Sequence, residues 1–268
     1  MMKKRLTIFI NSPDNYADVF SVFLQCFKLN WKECRYDMVL STNSLKYSDE
    51  NIIVYNNYCE NDTWMNRTIP VIRQIDTKYI LLMCDDSIIT HKIDDLLIER
   101  ILDDMDLLKL DYCKLTGSVK GETIGNSGLL TKVQKNTPYA RNLQVGIFNK
   151  EYLIGLLGDG SKSPWDLESE WLKEAGRESK EYFQNIVISN TDIMHVRNAV
   201  LKGRWYSSAL KQLKDMGINV CPERCVIGSV EEKRLQMFEV WGVIIPPQMR
   251  PLVKKILKVF GIKFATDN

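Results

Sequence analysis

The stretch KYILLMCDDSII, Lys78 to Ile89, constrains the fold more than any other part of the chain. Its near-continuous apolar run from Tyr79 to Met83 has strand length and reads as a buried strand. The run ends on two adjacent carboxylates, Asp85 and Asp86, before apolar residues resume at Ile88 and Ile89. Like charges side by side repel, so a cation or a proton belongs at that strand end.

The surrounding segments supply the partners such a strand needs. RLTIFINS (5–12) predicts a first strand that breaks at Ser12-Pro13-Asp14, where serine as N-cap and proline at the first helical position predict a helix start. Tyr16, Val19, Phe20, Phe23 and Phe27 recur at helical spacing to about Leu29. YDMVLST (36–42) and NIIVYNN (51–57) predict short strands, and a helix starts near Thr63 with Pro70 in its middle. Strand, helix, strand, strand, helix, strand is a doubly wound pattern, and such sheets bind ligands beyond the carboxyl ends of their strands. Asp85 and Asp86 lie at one such end. Further on, the pattern predicts a helix over 93–110, a strand in DYCKLTG and a glycine-rich connection over 117–128. A strand at 143–148, the helix KEYLIGLL and a helix capped by Ser163-Pro164 follow.

With 268 residues, 45% hydrophobic and 26% charged, the chain suits one large α/β domain with an extension. A net charge of +2 argues against a general nucleic-acid binder. The start, MMKKRLTIFINSPD, lacks a signal peptide's apolar region and cleavage site, and no segment has the roughly 20 apolar residues of a membrane span. Seven cysteines are scattered without a CxxC pair, and His91 and His195 are the only histidines. A structural zinc site is therefore not expected, and the thiols fit a reducing cytoplasm.

Residue chemistry leaves two readings at each of these points. Asp85 and Asp86 form either a solvated strand end or a divalent-cation site, where Mg²⁺ or Mn²⁺ would in turn hold a diphosphate. The acids of PWDLE (164–168) either complement a helix dipole or include a general base. His195, in MHVRNAVLKGRW (194–205), is either structural or a ligand.

The apolar strand ending in CDDS resembles the corresponding element of GT-A fold glycosyltransferases. NLQVGIFNKEYLIGLLGDGSKSPWDLE (142–168) is similar to a stretch of bacterial capsule and lipopolysaccharide glycosyltransferases, as is the tryptophan-containing helix TWMNRTIPVIRQI before the acidic strand. The resemblance covers most of residues 1–210. It departs from the strict Asp-x-Asp form, because Ser87 stands where the second aspartate would be. What it implies is a GT-A-like, Rossmann-like mixed sheet flanked by helices over 1–240, with a C-terminal amphipathic helical extension over 241–268. It further implies Glu168 as catalytic base with Asp166 in reserve, and Asp85, Asp86 and His195 as ligands of Mn²⁺ or Mg²⁺. Donor binding would fall to Ser12, Asn43, Arg67, Asp85, Asp86, Lys202 and Arg204, and acceptor binding to Gln144 and Trp165.

The C-terminal PPQMRPLVKKILKVFGIKF carries Arg250, Lys254, Lys255, Lys258 and Lys263 beside an apolar stripe at helical spacing. It reads either as a helix packed on the body or as an in-plane membrane helix, over 247–264, drawn to anionic lipid. The expected protein is a peripheral enzyme at the cytoplasmic face of the cell membrane. It would move a sugar from a nucleotide-diphosphate donor to a polyprenyl-diphosphate-linked saccharide, with inversion, in surface-polysaccharide assembly. The competing readings are a sugar-phosphate nucleotidyltransferase and a catalytically silent membrane-bound scaffold. The former normally wants a glycine-rich basic loop after the first strand, and NSPDNY is neither.

Overall fold

The computed structural model describes residues 4–57, 63–117, 121–134, 137, 139–176 and 183–244. Two compact units divide the chain, Met1–Ala199 and the remainder from Val200. In the first unit the strands are β1 (Leu6–Asn11), β2 (Asp37–Thr42), β3 (Ile52–Asn56), β4 (Tyr79–Cys84) and β5 (Ser87–Ile89). They continue with β6 (Tyr112–Lys114), β7 (Thr123–Ile124), β8 (Leu130–Lys132), β9 (Gly146–Asn149), β10 (Ile186–Ser189) and β11 (Val196–Asn198). Its helices are α1 (Ala17–Asn30), α2 (Trp64–Gln74), α3 (Asp95–Leu108), α4 (Lys150–Leu157) and α5 (Pro164–Gly176).

The main sheet has the order β3-β2-β1-β4-β9-β6-β10-β8-β7. β3, β2, β1 and β4 run parallel, as the strand–helix alternation predicts. β9 then enters antiparallel between β4 and β6, which makes the sheet mixed. Gly146 opens that strand, where an added Cβ would stand 2.7 Å from the ring of Tyr112.

β4 is buried on both faces, and its alternation feeds two cores. Tyr79, Leu81 and Met83 pack with Phe20, Phe23 and Phe27 of α1 and Ile98, Ile101 and Met105 of α3. Ile80 and Leu82 pack on the other side with Met65 and Ile69 of α2, Leu153 of α4 and Leu167 and Trp171 of α5. Deleting a side chain such as Leu81 to alanine would cost about 2–5 kcal/mol.

Some local expectations need correction. Ser12 does not cap α1: a 3-10 turn, Asp14–Tyr16, comes first, and the helix begins at Ala17. The connection 117–128 contains a short strand, β7, held against β8. Pro70 is tolerated inside α2 because it sits on the exposed side, near the helix's solvated Asn66. Thr63 caps that helix by accepting from the Asn66 N–H.

The second unit contains β12 (Val200–Leu201), β13 (Arg204–Tyr206) and β14 (Val226–Ile227) in one small sheet, with helices α6 (Ser207–Asp215) and α7 (Ser229–Ile244). The buried carboxylate of Glu232 in α7 receives the Ser207 hydroxyl and the Ser208 N–H, capping α6. The expected C-terminal segment lies outside the described residues except for 241–244, the end of α7. No helix among the described residues is long and apolar enough to cross a membrane.

Candidate active site

β4 outruns its neighbour β9. Leu82 is paired with Gly146, but Met83 and Cys84 have only β1 beside them. The chain then turns at Asp85-Asp86 and leaves the sheet as β5. The carboxylates therefore stand at the carboxyl end of a central strand, where an open α/β sheet presents its binding crevice.

The positive partner expected from their repulsion is, in the protein itself, a proton donor. Ser12, directly after β1, donates its hydroxyl to Asp85 Oδ2 at 2.6 Å, and its own N–H is tied to the Ser41 carbonyl. Burial pushes the Asp85 carboxyl up to about 7, against the lowering pull of the Ser12 hydroxyl and with the help of the Asp86 charge. Burial lifts Asp86 to about 6. The Asp86 carbonyl accepts from the Ala199 N–H at 2.8 Å, which fixes the turn.

Glu168 faces the same cleft from α5. Ser163 and Asp166 set where that helix begins. The Asp166 N–H donates to the Ser163 hydroxyl while the Asp166 carboxylate accepts back from the Ser163 N–H and Oγ, a reciprocal cap. Asp166 is thereby occupied at the helix end and is not among the cleft's lining residues. Glu168, two residues further, accepts the Leu143 N–H on Oε1 at 2.8 Å. Burial raises its pKa, opposed by that N–H and by the Lys114 ammonium. Lys114, at the end of β6, has its pKa lowered by burial and donates to the Tyr139 carbonyl at 3.2 Å.

The loop that carries Leu143 is anchored by the buried Arg141. Its guanidinium lies 4.6 Å over the Trp171 ring of α5 and donates to the Tyr152 hydroxyl and to Glu174. Cys84, half-buried, lines the same cleft as all three acids. Burial and then the charges of Asp86, Asp85 and Glu168 drive its thiol pKa well above the ordinary value.

The cleft that these groups border has a volume of about 460 Å³. It gathers six residues anticipated from sequence: Arg67, Asp85, Asp86, Gln144, Trp165 and Glu168. Arg67 is buried and donates from Nε to Asn11 Oδ1 at 2.9 Å. Trp165 is 77% exposed at the rim, and Tyr16 and Trp64 add aromatic walls.

Other expected site residues are placed differently. Asn43 Oδ1 accepts the Asp14 N–H at 3.0 Å and is not among the residues lining the cleft. His195 is not brought to the aspartates. Antiparallel pairing of β11 with β5 sets Ala199 against Asp86 and His195 against Thr90, four residues along, or about 13 Å at strand rise. That register turns the imidazole toward His91 instead. Lys202 and Arg204 belong to the second unit. Lys202 occupies a left-handed turn between β12 and β13 (φ 49°), and Arg204 is paired with Glu231 at 2.8 Å. Among the described residues no group of three or more His, Cys, Asp or Glu is arranged to hold a metal.

Sequence reasoning missed Asn11, Tyr16, Cys84, Lys114 and the Leu143 N–H. Asn11 carried a usable signal, since it too is a polar residue closing an apolar strand. It also missed Asp14. That carboxylate accepts from the hydroxyls of Thr42 and Ser44 and the N–H groups of Asn43, Ser44 and Leu45. Despite burial, the Ser44 and Thr42 hydroxyls and the backbone N–H groups hold it well below the usual carboxylate range.

No family model matches the chain, and no curated protein matches it. Among solved structures it is similar to a mannosyltransferase from Pyrobaculum calidifontis in complex with GDP-Man and Mn²⁺, at 10% identity and a TM-score of 0.44. That match covers 74% of this chain and 58% of that one. It is similar to S. aureus TarS at 10% identity and a TM-score of 0.43, covering 92% and 47%. It is also similar to the bifunctional IspDF from Campylobacter jejuni, at 10% identity and a TM-score of 0.37, covering 62% and 47%. The chain thus spans about half the length of these proteins. Likenesses this distant concern the fold alone, and the functional reading rests on the cleft.

Proposed function

We propose that the protein is a glycosyltransferase that takes a sugar from a nucleoside-diphosphate donor and passes it, with inversion, to a hydroxyl of a lipid-linked saccharide. One observation carries this reading. Two desolvated aspartates at the end of a central strand share a cleft with a separately held, desolvated glutamate and an exposed tryptophan. The aspartates suit a diphosphate's counter-ion, the glutamate suits a base, and the tryptophan suits a sugar face.

Asp85 and Asp86 offer hard carboxylate oxygens whose raised pKa values record the cost of charge there. Mn²⁺ or Mg²⁺, which keeps waters and takes further oxygens from a diphosphate, needs only one or two such carboxylates. When bound, the ion would screen the charge on the departing diphosphate.

The chain's own groups do the rest. Glu168 Oε1 already accepts from Leu143, which leaves Oε2 to take a proton. The acceptor hydroxyl oxygen bonds to the anomeric carbon as that carbon's bond to the diphosphate oxygen breaks. The hydroxyl proton goes to Glu168, and the nucleoside diphosphate leaves with the electron pair. A glutamate with a pKa raised by burial is a better base near neutral pH than a solvated one. Trp165 offers a flat face to the acceptor, and Arg67 lies on the donor side with its guanidinium buried.

The nucleotidyltransferase reading fits less well because of Asp14. The turn after β1, which would have to cradle a triphosphate, carries an ionised carboxylate of its own, pinned there by N–H groups of the loop after β2. The capsule or lipopolysaccharide setting, the polyprenyl-linked acceptor and the place at the inner membrane face are part of the proposal. They rest on the sequence resemblance and on the basic C-terminal stripe. The test is release of nucleoside diphosphate from a panel of nucleotide sugars when a lipid-linked saccharide is added. A silent scaffold releases none, and a nucleotidyltransferase releases pyrophosphate from a nucleoside triphosphate and a sugar phosphate.

A further inference from the structure

The chain's two histidines come together at the far end of the β5–β11 ladder. The His91 and His195 rings are 5.2 Å apart, centroid to centroid, and inclined at 57°. His195 does not sit there by local preference alone. His195 has φ +45°, a left-handed conformation that a non-glycine residue rarely adopts. It is held by the Asp192 carboxylate, which accepts its N–H at 3.0 Å, and by Thr90, whose N–H and hydroxyl both donate to its carbonyl.

The hydrogen bonds also set the tautomer of His91. The single hydroxyl proton of Thr90 is spent on the His195 carbonyl at 2.7 Å. Thr90 Oγ1, 2.9 Å from His91 Nδ1, must then accept, so that Nδ1 carries the proton and His91 Nε2 keeps its lone pair. His195 Nδ1 lies 3.9 Å from the Asp192 carboxylate, on the side of that charge. Both Nε2 atoms are left without a protein partner among the described residues. An imidazole whose other nitrogen donates to an oxygen is the usual state of a metal-binding histidine.

We propose that His91 and His195 form a two-imidazole binding site for a zinc-class transition-metal ion, separate from the aspartate pair. The spacing agrees. With Zn–N of about 2.0–2.1 Å and each ring centre a little over 1 Å further on, two imidazoles meeting one ion at the tetrahedral angle have centroids about 5 Å apart. Water completes the shell, because His91 is exposed and His195 half-exposed. The site lacks the four protein ligands of a structural zinc centre, so binding is reversible. Its effect is to clasp the turn after β5 to the turn before β11. That is the same two-stranded ladder whose other end holds the Asp86 carbonyl on Ala199.

Having only two histidines makes the test direct, since the imidazole Hε1 region of the NMR spectrum carries two signals. Addition of Zn²⁺ to the full chain should move both signals together, saturating near one equivalent, and a chelator should restore them. In His91→Gln the His195 signal should lose that response, and in His195→Gln the His91 signal should lose it, with apparent affinity falling at least tenfold. Zn²⁺ should raise the melting temperature of the wild type more than that of either variant. The exposed Cys221 and Cys225 can also take zinc, but the imidazole signals do not report on them. The proposal is overturned if both signals stay in place at a few equivalents of Zn²⁺. It is equally overturned if each histidine responds unchanged when the other is replaced.

Discussion

Ser12 and Asp85 stand 73 positions apart in sequence, and their side chains meet at 2.6 Å with both residues buried. The contact joins the ends of two parallel strands, β1 and β4, and gives the desolvated carboxylate a protein hydrogen-bond donor. Ser12→Ala removes that donor. The cost is about 1–3 kcal/mol of stability where Asp85 is ionised, from leaving a buried acceptor short of a partner. The variant should bind donor nucleotide only at higher pH than the wild type, because the Asp85 carboxyl then holds its proton more tightly. Nucleotide titrations between pH 6 and about 8.5 would measure this.

The same pair predicts how stability changes with pH. In the folded protein Asp85 and Asp86 titrate at about 7 and about 6, against an ordinary value of 3.8. The folded state therefore binds more protons than the unfolded state between these limits, so stability falls as pH rises from about 4 to about 7. Metal-free protein should lose roughly a few kcal/mol over that window through these groups. Asp85→Asn should flatten the slope in denaturant melts, and Mn²⁺ at pH 7.5 should recover part of the loss.

Asp86→Ala should abolish Mn²⁺-dependent donor binding without unfolding the protein. Calorimetry with and without EDTA checks it. If wild-type binding is indifferent to EDTA, the aspartates do not act through a metal.

Glu168→Gln keeps the volume and loses the proton acceptor. Donor binding should survive, while transfer drops by about two to four orders of magnitude. In the wild type, activity should be lost as pH falls through the Glu168 pKa. Burial raises that value, so the acid limb should lie above the range of a solvated glutamate. Lys114→Met removes a nearby positive charge and should move the limb further up.

Removing residues 247–268 should release the protein from anionic liposomes and spare activity on a soluble acceptor analogue. Five basic residues at about 1 kcal/mol each near the surface suffice for reversible attachment at low salt. Higher salt should weaken the attachment of the full chain. Precipitation of the truncated chain would instead mean that the apolar stripe covers the protein's own core.

What could be read from the sequence was local. The strand ending at Asp85, the cap at Ser163 and the helix face of α1 follow from spacing within a dozen residues, and the structure agrees with each. What failed depends on register between distant segments. Ser12-Pro13 has the chemistry of a helix cap, but the Asp14–Tyr16 turn stands between it and α1, and its hydroxyl donates across to Asp85. His195 lies in the right part of the chain for the aspartates, yet the β5–β11 pairing carries it four positions away. The Leu143 N–H that holds Glu168 has no side-chain signature at all.

Cys84 has a consequence for experiment. Its thiol borders the cleft, half-buried, and burial and the charges of Asp86, Asp85 and Glu168 hold its pKa well above the ordinary value, so little thiolate forms near neutral pH. Cys221 and Cys225, being exposed, should be alkylated at once. The slower modification of Cys84, told apart from that of the half-buried Cys34 by peptide mapping, would then serve as a built-in gauge of access to the cleft. A ligand that occupies the cleft should slow it.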